Sequence, residues 1–456
     1  MKKTTSLFEK VWLAAPIAVW FSFQPLIRLG QSDSMYFELS IALLYVLILA
    51  VSGIPLLWVH RRMLLKSRAV WLTGAFVGVM VLSLLWTPNL VRGVLTTGVA
   101  GLLFMIFMAS RAIKDTLRTM IPTLAKLFFI SAVVVAGLAL VQFFAGIWLE
   151  PEITLLCAGC VAEQFGFVRP NVFTIEPQFL GNMLLAPALL GVWLGMTGRL
   201  DRWAASGLGV IVTALFLTLS RGAILAFVIG LLVLGVVYYR QLRNAAAMAS
   251  LVLAGFLVCL VLQGTAAALN PRVEESFMGA VSKSVNQLSL GVITIPTEAE
   301  PEPAAQSTVV APVFDGYVEE STNVRLSLSS LAISVWASNP VTALFGVGIG
   351  GAGVALSEAF PAEFGPREIV QNEYIAVLLE LGLLGSALFV AILAVLVYRL
   401  GRAGMWVGVA ISAAFLTQWS FFSGYPNLLH VYLILILCAV YSVTAHRGRL
   451  APATQY

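Results

Sequence analysis

Three arginines stand in separate segments at or outside the outer ends of long apolar runs: Arg169 in "GFVRPNVFTIEPQFLGN", Arg221 in "LSRGAIL" and Arg325 in "STNVRLSL". A guanidinium presents a planar fork of donors that matches phosphate oxygens. Three of them at lipid-headgroup depth suit an anionic, lipid-linked substrate. In the alternative reading, each one snorkels to lipid phosphates. Glu176 enters an apolar run six residues after Pro170, where a carboxylate is costly unless paired. It suits either a general base toward a sugar hydroxyl or the salt-bridge partner of one of the arginines. Gln371, Asn372, Glu373 and Tyr374 open the run "VQNEYIAVLLELGLLGSALF". Such groups either cap the helix or hydrogen-bond a sugar.

Other polar features carry less chemistry. "LFGVGIGGAG" has dinucleotide-like glycine spacing but no strand before it and no helix after it in a βαβ unit. It reads as a glycine-rich turn that lets an outer loop approach the membrane core. Three histidines, His60, His430 and His446, are too dispersed for a metal site, and none is expected. His430, in the last apolar run, is the one on the side of the arginines. Cys157 and Cys160 form "CAGC" in an outer loop and are candidates for a local disulfide. Cys259 and Cys438 read as ordinary membrane-span residues.

The elements that position these groups follow from hydropathy. A chain of 456 residues with 60% hydrophobic residues, 11% charged residues and a mean hydropathy of +0.94 is a polytopic membrane protein, not a solvated globule. Apolar segments fall near 11–29, 36–59, 69–87, 92–110, 120–148, 174–197, 203–220, 222–239, 245–265, 371–398, 405–422 and 427–444, which makes about twelve spans. With the N-terminus inside, 18 of the 27 Lys and Arg lie on inner connections, as the positive-inside rule requires. The net charge of +5 is therefore membrane topology, and nucleic acid is not an expected partner. Both termini fall on the cytoplasmic side. Arg221 falls in the tight outer turn between the seventh and eighth spans.

The fold expected is all-α and polytopic, with three segments: a membrane bundle over 1–265 with about nine spans, a long outer loop over 266–370, and a three-span segment over 371–456. The loop holds eleven Asp or Glu against four Lys or Arg, so Arg325 is a minority charge there. Its stretch 297–312, "TEAEPEPAAQSTVVAP", has the composition of a flexible insertion. "STNVRLSLSSLAISVWASNP" and "RVEESFMGAVSKSVNQL" have apolar residues at helical spacing and read as amphipathic helices.

Taken together, "LTLSRGAIL", "NPVTALFGVGIG" and "VQNEYIAVLLELGLLG" resemble the O-antigen ligase and Wzy-type polymerase family of bacterial envelope proteins, over roughly Phe167 to Leu384. The resemblance implies a GT-C-like, metal-independent glycosyltransferase without cofactor, in the bacterial inner membrane, with its active site on the periplasmic side. It implies an undecaprenyl-diphosphate-linked glycan as donor, a saccharide acceptor and contact with membrane lipids. A chain-length regulator is a further candidate partner. Arg221 and Arg325 match the family's arginines that hold the diphosphate, where preorganised donors stabilise developing charge. Arg169 would support donor or acceptor. The ligases carry a histidine where this chain has Gln371, and a glutamine cannot act as a base. The proton would then fall to Glu176, Glu373 or His430, and the departure favours a polysaccharide polymerase over a ligase that acts on lipid A core or protein. A secondary transporter is the alternative from another class. It is disfavoured by the large outer loop, by the lack of an inverted repeat or an interrupted pair of short spans, and by the lack of a charge clearly at mid-membrane depth.

Overall fold

The computed structural model describes residues 7–32, 35–148, 163–164, 167–269, 276–289, 293, 320–361, 364–366, 368–423 and 428–444. The chain begins with α1 (Leu7–Trp12), α2 (Ala15–Ala18), a short 3-10 turn and a hairpin of β1 (Pro25–Ser32) and β2 (Met35–Ser40). There follow α3 (Ile41–Leu65), α4 (Arg68–Ser83), α5 (Leu90–Ala112) and α6 (Lys114–Trp148). A minimal pairing of β3 (Glu163–Gln164) with β4 (Phe167–Val168) precedes α7 (Pro177–Met196), α8 (Arg202–Leu217), α9 (Arg221–Val237) and α10 (Leu242–Leu269). The remainder is α11 (Phe277–Leu288), α12 (Glu320–Trp336), α13 (Pro340–Phe345), α14 (Ala352–Ala359), α15 (Glu373–Arg402), α16 (Trp406–Gln418) and α17 (Leu429–Thr444).

Among the described residues, six helices are long and apolar enough to cross a membrane: α3, α5, α6, α7, α10 and α15. The chain is a helical membrane protein. Five shorter apolar helices, α4, α8, α9, α16 and α17, occupy five more of the expected intervals. The first interval, 11–29, differs from expectation. Its helical part stops before Pro25, and the chain turns into a hairpin in which Arg28 stands opposite Glu38. The polar run from Gln24 through Ser32 supplies too few apolar positions to continue a span. Both stretches read as amphipathic helices contain helices, α11 and α12. The 297–312 insertion, Cys157 and Cys160 lie outside the described residues.

The chain divides into two compact units, one of Met1–Lys126, Leu328–Ser412 and Trp419–Tyr456, the other of Leu127–Ser327 and Ala413–Gln418. In the first unit α3 packs along α5, and α4 along α15. A Cβ at Gly53 of α3 would stand 2.8 Å from that of Ala109, so a small residue is needed for this approach. In the second unit α7 is the most buried helix, with Leu180, Leu184, Leu185 and Leu189 sealed by its neighbours. Glycines again permit contact: a Cβ at Gly191 would press on Leu208 and Phe129.

Helix α15 departs from the uninterrupted span expected. Gly382 takes φ 63° and ψ −165°, outside the helical region, and divides it in two. The break frees carbonyls that would otherwise bond to the next turn, and hydrocarbon offers them no partner. The backbone of the glycine-rich turn fills that role: Val347 donates to the Leu379 carbonyl and Gly348 to that of Glu380, each at 2.9 Å. Gly346, Gly348 and Gly350 all have positive φ, and a Cβ on Gly348 would lie 2.5 Å from the Thr87 Cα. The expected role of this stretch as a close-approach turn is what the backbone displays.

Candidate functional site

The arginine residues singled out from the sequence all belong to the second unit. Arg221 is the first residue of α9, whose start is capped by Ser220: its hydroxyl accepts from the Ala223 amide. The preceding Leu219 is held at φ 47°, a left-handed conformation that costs a Cβ-bearing residue about 1–2 kcal/mol. Arg169 sits against the same turn. Its Nε donates to the Thr218 carbonyl at 2.8 Å, and the side chain is 7% exposed. A guanidinium with so little access to water is poorly described as snorkelling.

Arg325, on α12, donates through Nη2 to Oε1 of Gln178 at 3.2 Å. The Gln178 amide in turn donates to Oε2 of Glu176. Glu176 occupies the cap position of α7 without bonding to its backbone. A neutral amide thus links the Glu176 carboxylate to Arg325. One turn further along α7, a Cβ at Gly181 would lie 2.8 Å from that of Ala223 and 3.0 Å from the Thr218 hydroxyl. The turn carrying Gln178 therefore packs beside the turn carrying Arg221, and Arg169, Glu176, Arg221 and Arg325 form one neighbourhood.

A buried polar network escaped the sequence reading. Gln142 of α6 accepts from the Asn171 and Val172 amides at 3.0 and 2.8 Å, and donates to Asn171 Oδ1 at 2.7 Å. Thr174 bonds to the Asn171 and Glu176 carbonyls. These contacts fix the segment between Arg169 and Glu176 onto α6. A signal existed in the run "RPNVFTIEPQ", whose alternating polar residues have no helical period.

The remaining candidates lie in the first unit. Asn372 caps α15: its Oδ1 accepts from Tyr374 and Ile375 amides, and its Nδ2 donates to the Ser420 carbonyl at 3.1 Å. Gln371 immediately precedes that cap, and the Tyr374 ring meets Phe389 edge-on at 6.3 Å. Glu373 is 3% exposed, takes the Ser423 hydroxyl at 2.8 Å and lines a cavity of about 90 Å³. His430 is fully buried in α17 but is not among the described residues lining that cavity. Tyr432, two positions on and hence roughly on the opposite side of the helix, lines it instead.

Glu380 and Arg92 also line the cavity, and neither was picked from the sequence. Glu380 lies two positions before the helix break, receives the amides of Gly350 and Ala352 and sits in the field of Arg92. This is an ionisable group inside an apolar helix. Its signal is the Glu-Leu-Gly triplet at 380–382, a carboxylate two residues before a glycine in an otherwise apolar run.

Residues 205–390 match the family described as O-antigen ligase. The matched segment, less than half of the chain, runs from α8 into α15 and contains Arg221, Arg325 and the stretch from Gln371 to Tyr374. Arg169, Glu176 and His430 fall outside it. No curated protein matches the chain. The family match is consistent with an O-antigen ligase or Wzy-like protein, and supports a membrane enzyme of the ligase or polymerase type in polysaccharide biosynthesis. Such a family implies a lipid-linked glycan and an acceptor as substrates.

Proposed function

We propose that the protein is an inner-membrane polysaccharide polymerase, which extends an undecaprenyl-diphosphate-linked glycan at the periplasmic face. The observation that carries this reading is the arginine neighbourhood within and beside the family match: Arg221 on the first turn of α9, Arg325 tied through Gln178, and Arg169 bonded to the Thr218 carbonyl. A helix start adds its own positive potential to Arg221, which favours an anion there.

In this proposal the acceptor hydroxyl oxygen attacks the anomeric carbon of the donor while the bond from that carbon to the phosphate oxygen breaks. The electron pair leaves with the lipid diphosphate, whose new charge Arg221 and Arg325 stabilise. The hydroxyl proton passes to a carboxylate. Glu176 shares the arginines' unit, and Glu373 lines the cavity of the other unit. Glu→Gln at the true acceptor lowers kcat while donor binding persists, which separates the two. Gln371, where the ligases carry histidine, supports the polymerase assignment.

The test uses purified protein in proteoliposomes with a lipid-linked repeat unit and a lipid A core acceptor. Growth of the lipid-linked glycan itself supports a polymerase; transfer to the core supports a ligase. Arg221→Ala should reduce chain growth about 10²–10³-fold, the usual effect of deleting one donor to developing charge. Unchanged chain lengths in that variant, at normal protein levels, would sink the proposal.

A further inference from the structure

Gln142 lies in the apolar run of α6 and is 2% exposed, so its amide must find its hydrogen bonds within the protein. It finds them on a single curl of backbone. Its Oε1 accepts from two consecutive amides, Asn171 at 3.0 Å and Val172 at 2.8 Å, while its Nε2 donates to Asn171 Oδ1 at 2.7 Å. Adjacent amides converge on one oxygen where the backbone forms a concave nest. Val172 takes φ 47° there, a left-handed conformation that a β-branched residue strongly disfavours.

Among the described residues, the only other non-glycine residue with positive φ is Leu219. Such conformations persist where surrounding contacts over-determine them, and they collect at sites whose geometry matters. Arg169 joins the two strained positions. It precedes Val172 by three residues, with the ring-locked Pro170 between them, and its Nε bonds to the carbonyl of Thr218, the residue before Leu219. Two residues beyond Leu219, Arg221 opens α9.

We propose that Gln142 is a positioning residue: resting on the transferase reading above, it holds the Asn171–Val172 nest and, through Arg169, the turn that presents Arg221 to the lipid diphosphate. Its three bonds fix both the place and the rotation of the nest on α6. The contacts run from Gln142 to the nest, to Arg169, to the Thr218 carbonyl and so to the Leu219 turn, all within the second unit. An apolar side chain of the same length would fill the same space in α6. It would also leave two amides bare and Val172 without the contact that holds it left-handed.

The experiment compares wild type, Gln142→Met, Arg169→Ala and the double variant, each full-length, monodisperse in detergent and reconstituted with a lipid-linked repeat unit. Gln142→Met should lower kcat for chain growth about tenfold, the scale of a lost pair of hydrogen bonds, and should cause no further loss in the Arg169→Ala background. A folding defect alone would multiply with that of Arg169→Ala, so an undiminished loss in that background overturns the proposal. Wild-type kcat in Gln142→Met overturns it too.

Hydrogen–deuterium exchange supplies a readout without turnover. Gln142→Met should speed exchange at residues 171–172 and also at 218–222, while α3 of the first unit keeps its wild-type rate. Unchanged exchange at 218–222 overturns the link through Arg169. Where Gln142→Met does not accumulate, Gln142→Asn, one methylene too short to reach both amides, replaces it in every arm. Faster exchange at both segments in a protein whose chain growth ignores Arg221→Ala would leave the linkage standing and remove the transferase reading.

Discussion

The arginine neighbourhood of one unit and the carboxylate cavity of the other hold opposite charges by opposite means. The arginines are gripped by neutral oxygens, Arg169 by the Thr218 carbonyl and Arg325 by the Gln178 side chain. The carboxylates take neutral donors, Glu373 the Ser423 hydroxyl and Glu380 backbone amides, and Arg92 also acts on Glu380. The scaffolds also differ. The arginines depend on a tight turn with a left-handed Leu219, whereas the carboxylates depend on an interrupted helix.

If the cavity depends on that interruption, Gly346→Val should have the largest effect. Its φ of 76° would be strained, and a Cβ there would drive into the backbone at Glu380 and Leu381. The variant should fail to accumulate as a monodisperse species on gel filtration in detergent; normal accumulation would mean the turn is dispensable. The next effect concerns the other unit. Arg325→Ala should lower chain growth about 10²–10³-fold, and Arg325→Lys should fall between it and the wild type, because charge remains but the fork is lost. Equal activity of Lys and Arg at this position would mean that charge alone suffices.

Gln178→Ala tests whether the amide relay orients Arg325. Losing one hydrogen bond to a charged group, about 1.5–3 kcal/mol, should reduce chain growth roughly ten- to hundredfold with unchanged protein levels. The smallest change should come from Asn372→Ala. Removing the cap of α15 should cost about 1 kcal/mol, seen as a lower Tm by thermal scanning, while arginine-dependent donor binding persists. A loss of donor binding equal to that of Arg325→Ala would erase the distinction between the regions.

Hydropathy revealed the helices because burial in lipid demands long apolar runs, and it placed Arg221 at a helix start for the same reason. It could not reveal that α15 stops and restarts: the apolar run continues through Gly382, and only the backbone dihedral changes. Glu380 was hidden by the same continuity. Span 11–29 was overread because its first half is apolar while Gln24 and Pro25, few in number, decide its end. The residues around Arg169 were legible as chemistry, yet Gln142, 29 positions before Asn171, was not. A pairing across that separation leaves no periodic trace.

The break in α15 also bears on how the chain is made. The Val347 and Gly348 amides that cover the Leu379 and Glu380 carbonyls precede them in the sequence. The donors leave the ribosome before the acceptors, so the helix is born with its partner already synthesised. Insertion of α15 into lipid is thereby bound to prior placement of the glycine-rich turn. A chain in which that turn arrived late would present bare carbonyls to hydrocarbon, where nothing else can pair them.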